Sequence, residues 1–115
     1  MDHKKLDIWK KSIIFVKDIY LVCEKLPNDE KYGLISQLKR ASISIPSNIS
    51  EGAARNSSKE YIHFLYISLG SLSEIETLII LAHELNFISD INSLLEDITA
   101  LKQLILGTIK YLKNK

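Results

Sequence analysis

Residues 32–55 read YGLISQLKRASISIPSNISEGAAR. When this stretch is plotted at about 100° per residue, its apolar side chains fall in one narrow sector, as expected for a helix with one face in a core. These side chains are Leu34, Leu38, Ala41, Ile45 and Ile49. A line of polar side chains borders that sector, namely Gln37, Arg40, Ser44, Asn48 and Glu51. We expect this polar line to lie at the edge of an interface and to hydrogen-bond to a second helix or a second subunit. The alternative is a solvated face, although long Lys or Glu side chains would be more usual there than Ser and Asn.

A proline interrupts this helical pattern. Pro46 removes one backbone donor and crowds the carbonyl of Ser42, so we expect a kink or break, with the Ser42 or Ser44 hydroxyl satisfying the freed carbonyl. Gly52 is expected to end the helix, because glycine is common just after the last helical turn.

Three further helices are predicted on either side of this stretch. The first runs from about residue 7 to 26 and carries two apolar seams. The third runs from about residue 58 to 86, and its expected core seam is Tyr61, Leu65, Ser68, Leu72, Ile75, Ile79 and Ala82. The fourth runs from about residue 90 to near the end, and its expected seam is Ile91, Leu94, Ile98, Leu101, Ile105, Thr108 and Leu112. The expected N-terminal caps are Asp7, then Asn28 or Asp29, then Ser57 with Glu60 as a capping box, and finally Ser89 or Asp90. Four helices with short loops predict one all-α domain over residues 1–115, an antiparallel up-down-up-down four-helix bundle.

The third helix carries Gly70 and Ser71 in its middle. A mid-helix glycine costs roughly 1 kcal/mol relative to alanine, and that cost is usually accepted so that another backbone can come close. Glu74 and Glu76 follow, and Arg40 is the natural partner of Glu74. We therefore hypothesise an ion pair between helices that sets their register. Two unrelated surface charges are the alternative.

Composition supports a small helical domain. The chain has 115 residues, 46% of them hydrophobic, with only four Gly and two Pro. We see no apolar run near the roughly 20 residues that cross a bilayer, and no signal peptide, so we expect a cytoplasmic protein with no membrane partner. The single cysteine, Cys23, agrees with a reducing compartment, and we expect its side chain to be buried.

Charge is more informative by position than in total. The net charge is only +1, which gives no support for nucleic-acid binding. Residues 1–17 sum to +3, residues 31–59 to +4 and residues 102–115 to +4, whereas residues 18–30 sum to −3 and residues 60–101 to −7. Whether the three basic segments converge in space decides whether they form a patch.

The sequence lacks the usual signs of enzyme or metal chemistry. Its three histidines lie in different segments, and His83 with Glu84 begins like a zincin motif but has no second histidine. A di-iron site in a bundle needs two Glu-x-x-His runs, which the sequence does not supply. HEPN ribonucleases use an Arg followed four to six residues later by His. Seven residues separate Arg55 from His63, so that interpretation remains only a minor one. We expect no cofactor and no catalytic residue.

A family resemblance covers nearly the whole chain. The carrying residues are Tyr32-Gly33-Leu34, Gln37, Arg40-Ala41, the run Ser44-Ile45-Pro46-Ser47-Asn48-Ile49, Glu51-Gly52 and Arg55, followed by Phe64-Leu65, Gly70-Ser71-Leu72 and Glu74. With the opening Leu6-Asp7-Ile8-Trp9, this pattern resembles the 23S rRNA intervening-sequence protein family, also called the four-helix bundle protein or S23 family. Two departures are Ser50, where alanine is common, and Leu38-Lys39, where Ile-Arg is typical.

The resemblance implies a four-helix bundle that assembles into a ring-like homopentamer. It also suggests similarity to the accessory variability determinant of diversity-generating retroelements, a basic pentamer that associates with nucleic acid and a reverse transcriptase. Intervening-sequence proteins are encoded within insertions in large-subunit rRNA. Many of their relatives lie elsewhere in bacterial genomes and have no assigned activity.

Two functions compete on these observations. The first is a non-enzymatic module for structured RNA or DNA, such as rRNA, and its expected phosphate contacts are Lys39, Arg40, Arg55, Lys59, Lys110 and Lys113. The second is a protein scaffold or adaptor, in which the polar line of the second helix and the apolar surface next to it hold subunits or a protein partner together. The expected structural positions of the family motif are Gln37, Ser44, Pro46, Asn48, Glu51, Gly52, Gly70, Ser71 and Glu74. Arg40 serves only one of the two functions fully, because an arginine paired inside an interface is unavailable to phosphate.

Overall fold

Four α-helices make up most of the chain, and the computed structural model describes residues 2–115. They are α1 (Asp7–Glu24), α2 (Leu34–Ala53), α3 (Ser58–Glu84) and α4 (Asn92–Lys113), and the described residues contain no strand. α2 and α3 form the most extensive contact, α1 packs on α2, and α4 packs on both α3 and α1. The predicted all-α fold of four helices is confirmed.

The contact between α2 and α3 forms the centre of the core. The apolar sector predicted for α2 is buried, and Leu38, Ile45 and Ile49 have no exposed surface. The seam predicted for α3 is buried along its whole length, namely Tyr61, Leu65, Ser68, Leu72, Ile75, Ile79 and Ala82. Full burial of one Leu or Ile side chain contributes about 1.5–3 kcal/mol, so this pair of helices supplies much of the stabilising burial.

The outer helices bury only part of their apolar surface. On α1, the seam of Ile8, Phe15, Ile19, Val22 and the following Leu26 is buried. On the other α1 seam only Cys23 is buried, while Trp9, Ile13 and Val16 are half-buried and Tyr20 is exposed. On α4 most of the predicted seam is buried, but Leu94 and Thr108 are half-buried. Part of the wide apolar surface of α1 is therefore not buried by the other helices of the chain.

The capping prediction holds at one helix out of four. At α3 the Ser57 Oγ accepts a hydrogen bond from the Glu60 backbone N–H at 3.1 Å. Asp7 is the first residue of α1 rather than its cap, and Leu6 takes the cap position without a side-chain bond. A carboxylate at the start of a helix still interacts favourably with the helix dipole.

The other two N-terminal cap predictions are wrong. Asn28 and Asp29 lie in a short 3₁₀ turn, and Glu30 takes the capping role, since its Oε1 accepts from the Leu34 N–H at 3.2 Å. Ile91 stands at the cap of α4 without a side-chain bond, and Asp90, with a positive φ of 28°, lies in the loop before it.

A left-handed residue ends α3 just before its predicted end. Asn86 has φ of 63°. The Phe87 N–H donates to the Ala82 carbonyl at 3.0 Å, and the Asn86 N–H donates to the His83 carbonyl at 2.9 Å. These two bonds form a Schellman motif, in which asparagine tolerates the left-handed conformation better than most side chains.

Pro46 does not break α2, which runs through it as one helix. The prediction that Ser42 or Ser44 satisfies the Ser42 carbonyl is also wrong. The Ser42 hydroxyl donates to the Lys39 carbonyl at 3.0 Å and the Ser44 hydroxyl to the Ala41 carbonyl at 2.9 Å. Burial of Pro46 and a bond from α3, in which the Ser68 hydroxyl donates to the Ile45 carbonyl at 3.0 Å, hold this turn in the helix.

The two mid-helix glycines behave differently. Gly52 lies inside α2 rather than after it, and a Cβ placed there would be 2.9 Å from both Phe64 Cβ and Tyr61 Cδ1. Gly52 is therefore required for the close approach of α2 and α3. A Cβ at Gly70 would meet nothing within 4 Å. No backbone of the described chain approaches Gly70, so the expected close approach is absent here.

α3 is long and apolar enough to span a membrane by length and composition alone, contrary to the expectation that no such stretch exists. One such helix is weak evidence for a membrane span, because the central helix of a packed bundle passes the same test. α3 makes the largest helix contact in this fold, on α2, and contacts α4 as well.

We predict opposite effects of alanine at the two glycines. Gly52→Ala should lower the free energy of unfolding by about 1–3 kcal/mol, because the added methyl group overlaps side chains of α3. Gly70→Ala should raise it by up to about 1 kcal/mol, through helix propensity. Urea denaturation followed by circular dichroism measures both.

The Gly70 variant also tests for contacts outside the chain. If Gly70→Ala destabilises the protein, a surface that does not belong to this chain packs on Gly70. An unchanged stability of Gly52→Ala would contradict the close packing of α2 on α3.

Candidate nucleic-acid interface

The basic segments converge at one end of the fold. A surface hollow of about 380 Å³ lies where the start of α1, the turn between α2 and α3, and the end of α4 meet. Leu6, Arg55, Ser58, Tyr111 and Lys115 are among the residues that line it. One end of each of the three positively charged stretches therefore meets the others in space, which the sequence alone left undecided.

Charge is segregated along the long axis of the molecule, which is 45 Å in extent. Contacts such as Ser44–Ser71 and Tyr66–Lys113 place residues 2–14, 44–71 and 104–115 on the side of the hollow. This part, here called the basic half, holds nine Lys or Arg and four Asp or Glu. The other half holds six Lys or Arg and ten Asp or Glu. A net charge near zero thus conceals a basic half and an acidic half, and local potential rather than net charge governs approach of a polyanion.

Arg55 is held in place at the basic half. Its Nη2 lies 2.7 Å from Glu51 Oε1, and its guanidinium stacks 5.0 Å from the centre of the Phe64 ring. The side chain remains 41% exposed, so the ion pair is a surface pair of small energetic value. Arg55 can therefore exchange its carboxylate partner for a phosphate at little cost.

The other basic residues predicted in this half are exposed. Lys59, Lys110 and Lys113 all lie on the surface, at the start of α3 and the end of α4. Lys113 Nζ donates to the Tyr66 hydroxyl at 3.1 Å. Exposed ammonium groups at the end of α4 also compensate the negative end of the helix dipole.

Lys39 and Arg40 do not join this group. Both lie in the acidic half, on α2. Lys39 is half-buried, and its Nζ lies 4.9 Å from the centre of the Tyr20 ring. Arg40 is exposed. The structure brings together four of the six predicted phosphate contacts and leaves these two elsewhere.

The polar line of α2 runs along the edge of the α2–α3 contact. Ser44 hydrogen-bonds to Ser71 across that contact, and Asn48 Nδ2 donates to the Ser44 carbonyl at 2.7 Å. Ser44 and Asn48 are half-buried, whereas Gln37, Arg40 and Glu51 are exposed. The centre of the line therefore makes the expected bond between helices, and its ends face outward.

The motif residues of α3 continue the same surface. Residues Ile67, Ser71 and Glu74 follow one another at helical spacing, and Gly70 lies beside them. Of the family-motif residues, only Pro46 and Gly52 are buried. The remaining ones line one surface of the α2–α3 pair, here called the motif surface.

The hypothesised Arg40–Glu74 ion pair is not formed, and both side chains are exposed. Among residues 2–115 the structure has two ion pairs, Arg55–Glu51 and Lys102–Glu76. In the second, Lys102 Nζ on α4 lies 3.2 Å from Glu76 Oε1 on α3. Glu76 therefore does join two helices, but through α4 rather than α2.

No cluster of three or more potential metal ligands occurs among the described residues. The sequence does contain one Glu-x-x-His run, Glu60 to His63, but both side chains are exposed at the outer surface of α3 rather than in the core. His63 and Arg55 line one shallow surface depression at the start of α3. Both residues also stand beside a phenylalanine ring, that of Phe64.

Burial alters two titratable groups. Desolvation raises the pKa of the Tyr61 phenol above its usual value, so the hydroxyl stays protonated. Desolvation also raises the pKa of the Cys23 thiol, against a smaller opposing effect of the Lys39 charge. In both cases the neutral form is the one the fold favours.

Sequence reasoning missed two parts of the basic half. Lys4 and Lys5 precede Leu6, which lines the hollow, but neither was predicted as a phosphate contact. The charge sums by segment were the signal that pointed to them. Tyr61 was predicted only as a core residue, and no sequence pattern reveals that its hydroxyl is left without a partner.

These features define a small all-α protein of four helices with a basic half and a polar motif on its central helix pair. The family model described as 23S rRNA-intervening sequence protein matches residues 4–107. The chain belongs to that family. A search among curated proteins finds no match to it.

We predict that the Cys23 thiol reacts slowly with iodoacetamide at neutral pH, because burial restricts access and raises its pKa. Labelling followed by mass spectrometry should be much faster in urea than in buffer. The folded-state pKa lies above the unfolded one, so the thiol's contribution to stability is lost as pH rises above the ordinary thiol pKa. Equal labelling rates in both solutions would contradict burial.

Proposed function

We propose that this protein is a non-enzymatic, cytoplasmic four-helix bundle that associates with structured RNA or DNA through its basic half. The observation that carries the proposal is the convergence of Arg55, Lys59, Lys110 and Lys113 at one end of a nearly neutral molecule. Backbone phosphates dominate the affinity of proteins for nucleic acid, and exposed Lys and Arg are the groups that neutralise them.

The finer arrangement of the helices is part of this proposal. Contacts between α2 and α3 pair Ser44 with Ser71 and Gly52 with Tyr61, so residue numbers rise on one helix as they fall on the other. Between α3 and α4, Glu76 pairs with Lys102 and Tyr66 with Lys113. Both patterns support an antiparallel, up-down-up-down bundle.

Assembly into a ring-like homopentamer completes the proposal, and family membership supports it. One basic half offers only a few contacts, each of modest strength. Five copies in one assembly present them together, and linked contacts raise the overall affinity without new chemistry. The half-buried seam of α1 and the exposed motif surface are available for contacts between subunits.

The test is fluorescence anisotropy with a structured rRNA fragment and a matched duplex DNA over a series of salt concentrations. We expect the logarithm of affinity to fall with the logarithm of salt. In Lys59→Gln/Lys110→Gln the slope should decrease by about one unit for each phosphate that is no longer neutralised. Lys39→Gln/Arg40→Gln is the matched control, with the same change of charge in the acidic half, and should bind nearly as the parent does.

Two results would contradict the proposal. One is the absence of binding by the parent protein at low salt, where phosphate contacts are strongest. The other is equal weakening by the two double variants, which would mean that total charge rather than the basic half determines binding.

A scaffold or adaptor that binds protein and no nucleic acid is the second candidate, and the outer face of α3 favours it. Ile67 and Leu81 are 40% and 44% exposed there, with the open Gly70 between them. Exposed apolar side chains grouped on one face of a helix often mark a contact with another protein. This face overlaps the motif surface at Gly70, and the two together fit a flat protein contact.

Changing that face should alter self-association if it is the subunit contact. Ile67→Glu should lower the oligomer mass measured by native mass spectrometry, because a carboxylate buried at an apolar contact is costly. Tyr32→Glu, at the 89% exposed residue before α2, is the control and should leave the mass unchanged. An unchanged assembly in Ile67→Glu would exclude this face as the contact between copies.

A further inference from the structure

The hollow in the basic half is lined by a buried tyrosine whose hydroxyl has no hydrogen-bond partner. Tyr61 lines it and is only 9% exposed, and its hydroxyl is the one buried side-chain polar atom of the described residues without a hydrogen-bond partner. An unpartnered buried hydroxyl costs about 1–3 kcal/mol. Native structures rarely retain a buried hydroxyl without a partner, so the Tyr61 hydroxyl requires an explanation.

The packing of α2 holds the Tyr61 ring where it is. Gly52 lets the ring lie so close that a Cβ on α2 would be 2.9 Å from Tyr61 Cδ1. The ring therefore packs closely against the backbone of α2, and this packing favours the position in which the hydroxyl is buried. A protonated phenol in a fixed position is a hydrogen-bond donor that needs an acceptor.

The remaining walls of the hollow combine apolar side chains, such as Leu6 and Leu112, with hydrogen-bond donors and positive charge. Arg55 and Lys115 line it, as do Asn56 and the hydroxyl-bearing Ser58. The first turn of α3 begins here, and the amides of Ser58 and Lys59 have no partner within the helix, whereas the Glu60 N–H already donates to the Ser57 hydroxyl. Donors, cations and a helix N-terminus together suit a small anion, whose oxygens accept several hydrogen bonds at once.

We infer that this hollow is a binding site for a phosphate group, with Arg55 and Lys115 as its cations and with the Tyr61 hydroxyl, which is closed off from solvent in the ligand-free protein, as a donor that becomes reachable when Tyr111 and Lys115 move aside. The inference rests on the proposed function, since it makes the hollow the point at which one phosphate of a nucleic acid is held. A free phosphate is the other source of the same chemistry.

Two features bear on how the phosphate enters. Tyr111, which is 66% exposed, and Lys115 form the outer wall, so they can move aside without disturbing the core. Glu51 holds Arg55 in the ligand-free protein, and a bound phosphate competes with that carboxylate. Since the pair is exposed, the exchange costs little.

The experiment titrates the full chain with inorganic phosphate, against chloride at equal ionic strength. Isothermal calorimetry gives the affinity, and amide NMR shifts of residues 56–61 locate the site. Tyr61→Phe removes only the hydroxyl and should weaken phosphate binding about tenfold, as expected for loss of one hydrogen bond to a charged group. Tyr32→Phe removes an exposed hydroxyl far from the hollow and should change nothing.

Stability supplies an independent measurement. Without phosphate, Tyr61→Phe should melt at or above the temperature of the parent protein, because an unpartnered hydroxyl has been removed. With phosphate, the parent should gain more than the variant, because only the parent binds tightly. Equal phosphate affinity in parent and variant, or no phosphate-dependent shifts at residues 56–61, overturns the inference.

Failure of this inference and of the proposed function are distinguishable. If the parent binds RNA with a steep salt dependence but Tyr61→Phe leaves phosphate affinity unchanged, the phosphate site in the hollow is wrong, and nucleic-acid binding by the basic half is still supported. If phosphate binds through Tyr61 but no nucleic acid binds, the hollow stands as a site for free phosphate. Weaker RNA binding by Tyr61→Phe identifies the nucleic acid as the source of the phosphate.

Discussion

The close approach of α2 to α3 is the constraint on which the rest of the structure depends. It requires a glycine at residue 52, where a side chain would collide with Tyr61 and Phe64. Two hydroxyl contacts, from Ser68 to the Ile45 carbonyl and between Ser44 and Ser71, fix the register along the same contact. Gly52 and Ser44, which are poorly suited to a helix on propensity alone, are explained by this approach.

That contact also links the core to the surface. Tyr61 is held by Gly52 on its inner side and lines the basic hollow on its outer side. Arg55 follows α2 directly and rests on the Phe64 ring, the second side chain that Gly52 admits. The residues that carry charge at this end are therefore positioned by the same packing that forms the centre of the fold.

Much of the fold was predictable because helical periodicity is a strong signal over long segments. The four helices and the buried seam of α3 follow from apolar spacing, and the Ser57 cap follows from its capping box. The errors have specific causes. Glu30 reaches the start of α2 from a turn that spacing does not show, and Ser68 and the packing of Pro46 keep α2 continuous where a proline predicts a break. Local patterns omit such contacts from distant residues.

The site was less predictable for the same reason: charge sums identified basic segments, but Lys39 belongs to the same basic segment as Arg55 and lies in the opposite half of the molecule.

The segregated charge gives the molecule an electric dipole along its 45 Å axis. Copies packed side by side in one orientation would bring their basic halves together on one rim, and the repulsion between these like charges would oppose assembly. Added salt screens such repulsion, whose range is about 10 Å at 0.1 M. A polyanion bound along the rim would supply the missing countercharge, so that in such an assembly ligand binding and subunit association would reinforce each other.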